Sequence, residues 1–226
     1  MRINKFIALS GVASRRTADQ LIRQGRVERN GQVVTELGVQ VDPTADTITV
    51  DGRSLQPVDS YTYLALHKPR GYVCTHARFD GEQSVFTLLP ARYRHLKMSG
   101  RLDKDSEGLL ILSDDGGFIQ QLGHPRYAKA KEYQVVVTRA LSSGALAQLR
   151  RGVRLDEGVA QVDEIRMVNP TTYTIRIHQG WKRQIRRMME AVGARVVRLV
   201  RTRVGPYALG SLPPGEYKEI KKPSTA

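Results

Sequence analysis

The chain reads as an α+β protein: a small N-terminal helix-helix-hairpin domain, then a larger domain with a mostly antiparallel central sheet. Residues 1 to 50 hold two short helical patterns followed by turn-linked strands. Farther along, Lys131 to Val137 and Tyr173 to Ile177 are β-rich runs, and helical spacing recurs only in short stretches between such runs. Many strands with few helices favour a mixed or antiparallel sheet over a regular βαβ alternation.

Ile3, Phe6 and Ile7, with Leu9, have helical spacing and stop at Ser10-Gly11. Ser14 is placed to cap a second helix, whose Ala18, Leu21 and Ile22 share one face and which ends by Gly25. Val27 to Arg29, then Asn30-Gly31, then Val33 form a hairpin, because Asn-Gly tolerates the left-handed backbone of a two-residue turn. Thr47-Ile48-Thr49-Val50, closed by Asp51-Gly52, adds a strand. The stretch from Leu55 to Ser60 reads as a connection, giving a first domain of residues 1–56, a linker of 57–60 and a second domain of 61–226.

In the second domain, Tyr61 to His67 and Tyr72 to Thr75 read as strands around Lys68-Pro69-Arg70-Gly71. Leu109 to Leu112 is a short apolar run bounded by Gly108 and Asp114-Asp115-Gly116-Gly117, as expected of a buried strand. Leu146 and Leu149 lie on a helix capped by Ser142 or Ser143 and ended by Gly152. Ile185, Met188, Met189 and Val192 give a last helix its inner face, and Gly193 stops it.

Charge divides the chain. It holds 36 Lys and Arg against 22 Asp and Glu, a formal charge of +14, and such a surplus usually faces a polyanion. Residues 1–30 carry seven cations against two acids, whereas in residues 31–60 Arg53 stands alone against five acids. A second basic stretch, residues 181–203, sets eight cations against Glu190. Nucleic acid is the expected partner, with Lys5, Arg15, Arg16 and Arg29 on the first domain and Arg183 and Arg187 on the last helix as phosphate contacts. No apolar run approaches the length of a membrane span, and the N-terminus is not a signal peptide. Cys74 is the only cysteine, which excludes an internal disulfide and agrees with a reducing cytoplasm. The five histidines lack metal-ligand spacing. A cytoplasmic monomer without metal is the expectation.

The segment Gly100-Arg101-Leu102-Asp103-Lys104-Asp105-Ser106-Glu107-Gly108-Leu109-Leu110 carries the most chemistry. It sets Asp103 between cations just ahead of the buried strand, a rigid platform for a carboxylate aimed at an electron-poor carbon. Three other readings compete. Asp103, Asp105, Glu107, Gly108 and Asp114 imitate a calcium loop, but the pattern lacks its bidentate Glu and Ser99-Gly100 interrupts an entering helix. A pair of hydrolytic carboxylates, Asp103 with Asp105 or Glu107, is disfavoured because the chain lacks an aromatic-rich sugar cleft. A charged surface loop is the third.

Two resemblances weigh these alternatives. Residues 1 to 50, from Arg2-Ile3-Asn4-Lys5-Phe6-Ile7-Ala8 through Ser14-Arg15-Arg16, Gly25, Val27 and Asn30-Gly31, resemble the small RNA-binding domain named after ribosomal protein S4. Gly100 to Asp103 with Ser106, Gly108, Leu109 and Leu110, then Lys131-x-Tyr133, Gly180-x-x-Arg183-Gln184-Ile185-Arg186-Arg187-Met188, and Leu199-x-Arg201-Thr202-Arg203-x-Gly205 resemble the RsuA and RluB branch of ribosomal RNA pseudouridine synthases. The resemblance implies a cofactor-free isomerisation of uridine within ribosomal RNA or a pre-ribosomal particle. It makes Asp103 the catalytic carboxylate, Tyr133 the ring stacked on a flipped uracil and Arg186 the cation paired with the aspartate. Arg101 would enter the space the base leaves, and Leu199 would floor the pocket. Trp181 departs from the polar residue expected after the motif glycine, and offers a further stacking surface.

Overall fold

The computed structural model describes residues 1–56, 60–77 and 80–223. The chain divides into two compact units, Met1–Thr62 with Asp114–Gly116, and Tyr63–Ser113 with Gly117–Ala226. Of the expected linker, residues 57–59 lie outside the described residues.

The first unit holds α1 (Ile3–Leu9), α2 (Arg15–Arg23), β1 (Val27–Arg29), β2 (Gln32–Val33), β3 (Ile48–Val50) and β4 (Arg53–Leu55). Ser14 Oγ accepts the Thr17 amide and caps α2. The sheet runs β2-β1-β3-β4, all antiparallel. Asn30 and Gly31, with φ of 53° and 78°, make the first hairpin turn, and Asp51 and Gly52, at 51° and 74°, repeat that geometry between β3 and β4. Leu55 is therefore not part of a connection. It ends β4 and is buried with Ile3, Phe6, Ile22, Val27 and Ile48.

The second unit contains β5 (Tyr63–Lys68), β6 (Tyr72–Val73), β7 (Gln83–Ser84), β8 (Lys97–Met98), β9 (Glu107–Ser113), α3 (Gly116–Gly123), β10 (Lys131–Val137), α4 (Ser143–Arg151), β11 (Val153–Leu155) and β12 (Gly158–Ala160). It continues through β13 (Glu164–Asn169), β14 (Thr172–Ile177), α5 (Gln184–Ala191), β15 (Val196–Val204), β16 (Tyr207–Ala208) and β17 (Tyr217–Glu219). The central sheet has the order β13-β14-β10-β15-β9-β5-β17, with β16 on β15 and β8 on β9. Within it only the β15 and β9 pairing is parallel. The α+β expectation, with a largely antiparallel central sheet, is what the structure has.

β9 is buried along its whole length, which explains why its sequence shows no polar alternation. Its parallel contact with β15 sets Gly108 opposite Arg201. A Cβ at Gly108 would lie 2.4 Å from both the main-chain nitrogen and oxygen of Arg201, so only glycine lets these two strands close. That closure brings β15 side chains against the loop preceding β9.

Candidate active site

A cleft of about 1020 Å³ in the second unit is bounded on one side by residues 100–106 and on another by β10, β15 and the turn before α5. Asp103, Arg101, Tyr133, Leu199, Trp181 and Arg183 all contribute to its wall. Four separated stretches of sequence thus supply these residues.

The loop bearing Asp103 is secured by its main chain. Arg201 Nη1 donates to the Arg101 carbonyl at 3.4 Å, and the Leu102 amide reaches Cys74 Sγ at 3.4 Å. The Ser106 amide donates to the Asp103 carbonyl at 3.1 Å, and the Gly71 amide to that of Lys104 at 2.8 Å. Lys68 Nζ donates to the carbonyls of Ser106 at 2.6 Å, Pro69 at 3.0 Å and Lys104 at 3.4 Å. Arg186 Nη2 donates to the Asp105 carbonyl at 2.9 Å. A loop so held presents its carboxylate without reorganisation when chemistry begins. The half-buried Asp103 side chain itself makes no hydrogen bond or ion pair among the described residues.

Arg186 corrects one expectation. Its ion pair runs to Asp105, with Nε 3.4 Å from Oδ2, and not to Asp103. The reason is the plane of the guanidinium: Nη2 is fixed by the Asp105 carbonyl and by Ser106 Oγ at 3.3 Å, while Nη1 points to the Val196 carbonyl at 3.4 Å. Asp105 Oδ1 and Oδ2 each also accept from Arg183 Nη1 at 3.0 Å. Burial lowers the Arg186 pKa; the Asp105 charge opposes that shift, Arg183 reinforces it, and Asp103 opposes it.

Lys68 is fully buried. Burial pushes its ammonium down to about 8, against the pull of Cys74, Asp105 and Asp103. Burial likewise lowers Lys131 and raises the Cys74 thiol.

Tyr133 is buried on β10, directly across from Arg201, and Leu199 stands opposite Val135. Alternation along both strands turns Tyr133, Leu199 and Arg201 to the cleft. The Trp181 ring packs on β12, its edge 3.5 Å from where a Gly158 Cβ would stand. Arg101 is exposed on the cleft rim.

The six expected RNA contacts fall into two groups. Lys5, Arg15 and Arg16 are exposed on the first unit without an ion pair among the described residues. Arg29, Arg183 and Arg187 are each engaged by an acid: Asp46 at 2.9 Å, Asp105, and Glu157. Hydrogen bonds from the Arg29 side chain, the Asp42 main-chain amide and the Asn30 side chain draw the Asp46 carboxyl down to about 2. Arg201, grouped by sequence with surface cations, is 2% exposed and belongs to the site's interior.

Sequence reasoning did not single out Lys68, Cys74, Asp105 or Arg201 as parts of the site. Only Arg201 and Asp105 fell inside quoted motifs, and nothing in their spacing distinguishes a buried cation from a solvated one. The carboxylates of the imitation calcium loop are directed otherwise: Glu107 begins β9 and is ion-paired with Arg198, and β9 itself occupies residues 107–113 of the would-be loop, which β8 and not a helix precedes. Among the described residues no cluster of three His, Cys, Asp or Glu could hold a metal.

The family model for RNA pseudouridylate synthase matches residues 62–191, and that for the S4 domain residues 1–54. A Bacillus subtilis protein, ribosomal large subunit pseudouridine synthase B, is 36% identical over 225 residues, covering 97% of this chain and 91% of the relative. The Escherichia coli dual-specificity RNA pseudouridine synthase RluF is 34% identical over 222 residues, covering 97% and 75%. A crystal structure of a pseudouridylate synthase matches with a TM-score of 0.70 at 29% identity, over 98% of this chain and 96% of that one. The chain belongs to the RNA pseudouridine synthase family, in the RsuA and RluB branch that carries an S4 domain ahead of the catalytic one. Its reaction class is the isomerisation of uridine in RNA to pseudouridine.

Proposed function

We propose that this enzyme converts specific uridines of ribosomal RNA to pseudouridine, with Asp103 as the catalytic carboxylate acting on a flipped-out nucleotide. The observation that carries this is the Asp103 carboxylate on a cleft wall, without a hydrogen-bond or ion-pair partner among the described residues, on a loop whose main chain is tied at every residue from Arg101 to Ser106. In the reaction the bond from uracil N1 to the sugar C1′ breaks and one from C5 to C1′ forms; the C5 proton leaves and N1 regains one. Nothing is oxidised or reduced, so the chain's own residues suffice.

A uridine in structured RNA must leave its stack before C1′ can approach a carboxylate. Tyr133 replaces the lost stacking, Leu199 closes the floor beneath the base, and Arg101 on the rim takes the vacated place in the RNA. Arg186, buried behind the loop, holds its main chain through the Asp105 carbonyl. Trp181 offers a second aromatic face to a neighbouring base. Lys5, Arg15 and Arg16 on the S4 domain hold phosphates away from the reacting nucleotide.

The Bacillus subtilis relative is named for the large subunit, so that RNA is the first substrate to examine. Pseudouridine mapping across ribosomal RNA from cells with and without this gene tests the proposal: one or a few positions should lose the modification. An unchanged map in both subunits would remove ribosomal RNA as the substrate.

A further inference from the structure

We propose that Asp105 is a positioning residue for the isomerisation, tying the loop that carries Asp103 to the first turn of α5 through Arg186 while keeping Arg183 neutralised and withdrawn from RNA. The inference rests on the reading of Asp103 as the catalytic carboxylate. It begins from a crowding of like charge: Arg183 lies close enough to oppose the ionised form of Arg186, and Asp105 is the carboxylate both of them touch.

The two contacts differ in kind. Arg186 is buried, and its fork engages the Asp105 carbonyl and Ser106 Oγ while Nε is aimed at Oδ2. That Nε has no hydrogen-bond partner at normal length, so the carboxylate is the group that compensates it. Arg183 is exposed, stands at the N-cap of α5 with a left-handed φ of 52°, and gives Nη1 to both Asp105 oxygens at 3.0 Å. A non-glycine residue in that region is strained, and the ion pair is a contact that holds it there. One side chain therefore ties the 103–106 loop to the first turn of α5. Remove its charge and two consequences separate: the buried guanidinium loses the ion pair that ties α5 to the Asp103 loop, and the exposed one becomes available to phosphate.

Asp105→Asn and Asp105→Glu, made in the full chain, test this on large-subunit ribosomal RNA transcribed without modification. Single-turnover rates normalised to RNA-binding stoichiometry remove any unfolded fraction. Asp105→Asn is expected to slow isomerisation about 10- to 100-fold, the scale of a small misplacement of a catalytic group. It should also bind RNA more tightly at low salt, with a slope of log affinity against log salt steeper by about 0.7 to 0.9, one phosphate contact's worth. Asp105→Glu, which keeps the charge, should return the slope to the wild-type value and recover part of the rate.

A purely structural role would slow the reaction without steepening the slope, and that outcome overturns the proposal. So does an Asp105→Asn enzyme of undiminished rate, or an Asp105→Glu enzyme with the Asn variant's slope. Should Asp103→Asn, free of deamidation, modify the transcript at the wild-type rate, the reading of Asp103 fails first and takes this inference with it.

Discussion

Tyr133 and Arg201 are cross-strand partners, one on β10 and the other on β15, and both line the cleft. Arg201 Nε donates to the Leu109 carbonyl at 2.8 Å and Nη1 to the Arg101 carbonyl at 3.4 Å, so the strand residue opposite the aromatic ring also supports the loop that presents Asp103. Ring and carboxylate are coupled through one buried guanidinium.

Replacing Asp103 by Asn should lower the isomerisation rate at least about a hundredfold while RNA affinity stays near wild type, because the amide keeps the shape and loses the charge. Product formation on labelled RNA and filter binding measure the two quantities. A chelator should change neither. Full turnover by an Asn enzyme shown to be free of deamidation would sink the assignment.

Tyr133→Phe and Tyr133→Ala separate ring from hydroxyl. Loss of the ring should weaken the stacked complex by about 1–3 kcal/mol. If stacking is the whole role, the Phe enzyme turns over near the wild-type rate; if the hydroxyl moves a proton, the Phe enzyme binds RNA and stalls. Undiminished activity of the Ala enzyme rules out both.

The buried Lys68 gives a pH signature. Its folded pKa, about 8, lies below the ordinary 10.5, so between those values the unfolded chain binds the extra proton. Stability should therefore rise with pH across that window, the burial penalty being fully present below about 8 and relieved above 10.5. Denaturant titrations of wild type and Lys68→Met at several pH values should diverge there. Parallel curves would contradict the assignment.

Deleting residues 1–56 should raise KM more than it lowers kcat, since a tethered second RNA site contributes affinity at a distance. The salt slope should flatten by about 0.7 to 0.9 for each phosphate contact removed. Superimposable lines for the two proteins would mean that Lys5, Arg15 and Arg16 only solvate the surface.

Much of the fold was legible because its signals are local. Apolar spacing found α1, α2 and α5, Asn30-Gly31 marked the first hairpin, and the unbroken apolar run announced β9. β4 was missed because Arg53 and Ser54 are exposed and only Leu55 reaches the core. At the site, motif resemblance supplied Asp103, Tyr133 and Leu199, and all three line one cleft. Which cation meets which acid was not legible. Arg186 with Asp105 and Arg29 with Asp46 are pairings between separated segments, set by the closing of sheets and turns and not by spacing along the chain.

The backbone anchoring of residues 101–106 also limits where this enzyme can change. Inserting or deleting a single residue there would shift every downstream carbonyl off its donor at once, so the segment tolerates exchange of side chains far better than any alteration of length. A change of length in the β11 and β12 hairpin, which carries Gly158 against the Trp181 of the cleft wall, leaves those donors in place and the aspartate undisturbed.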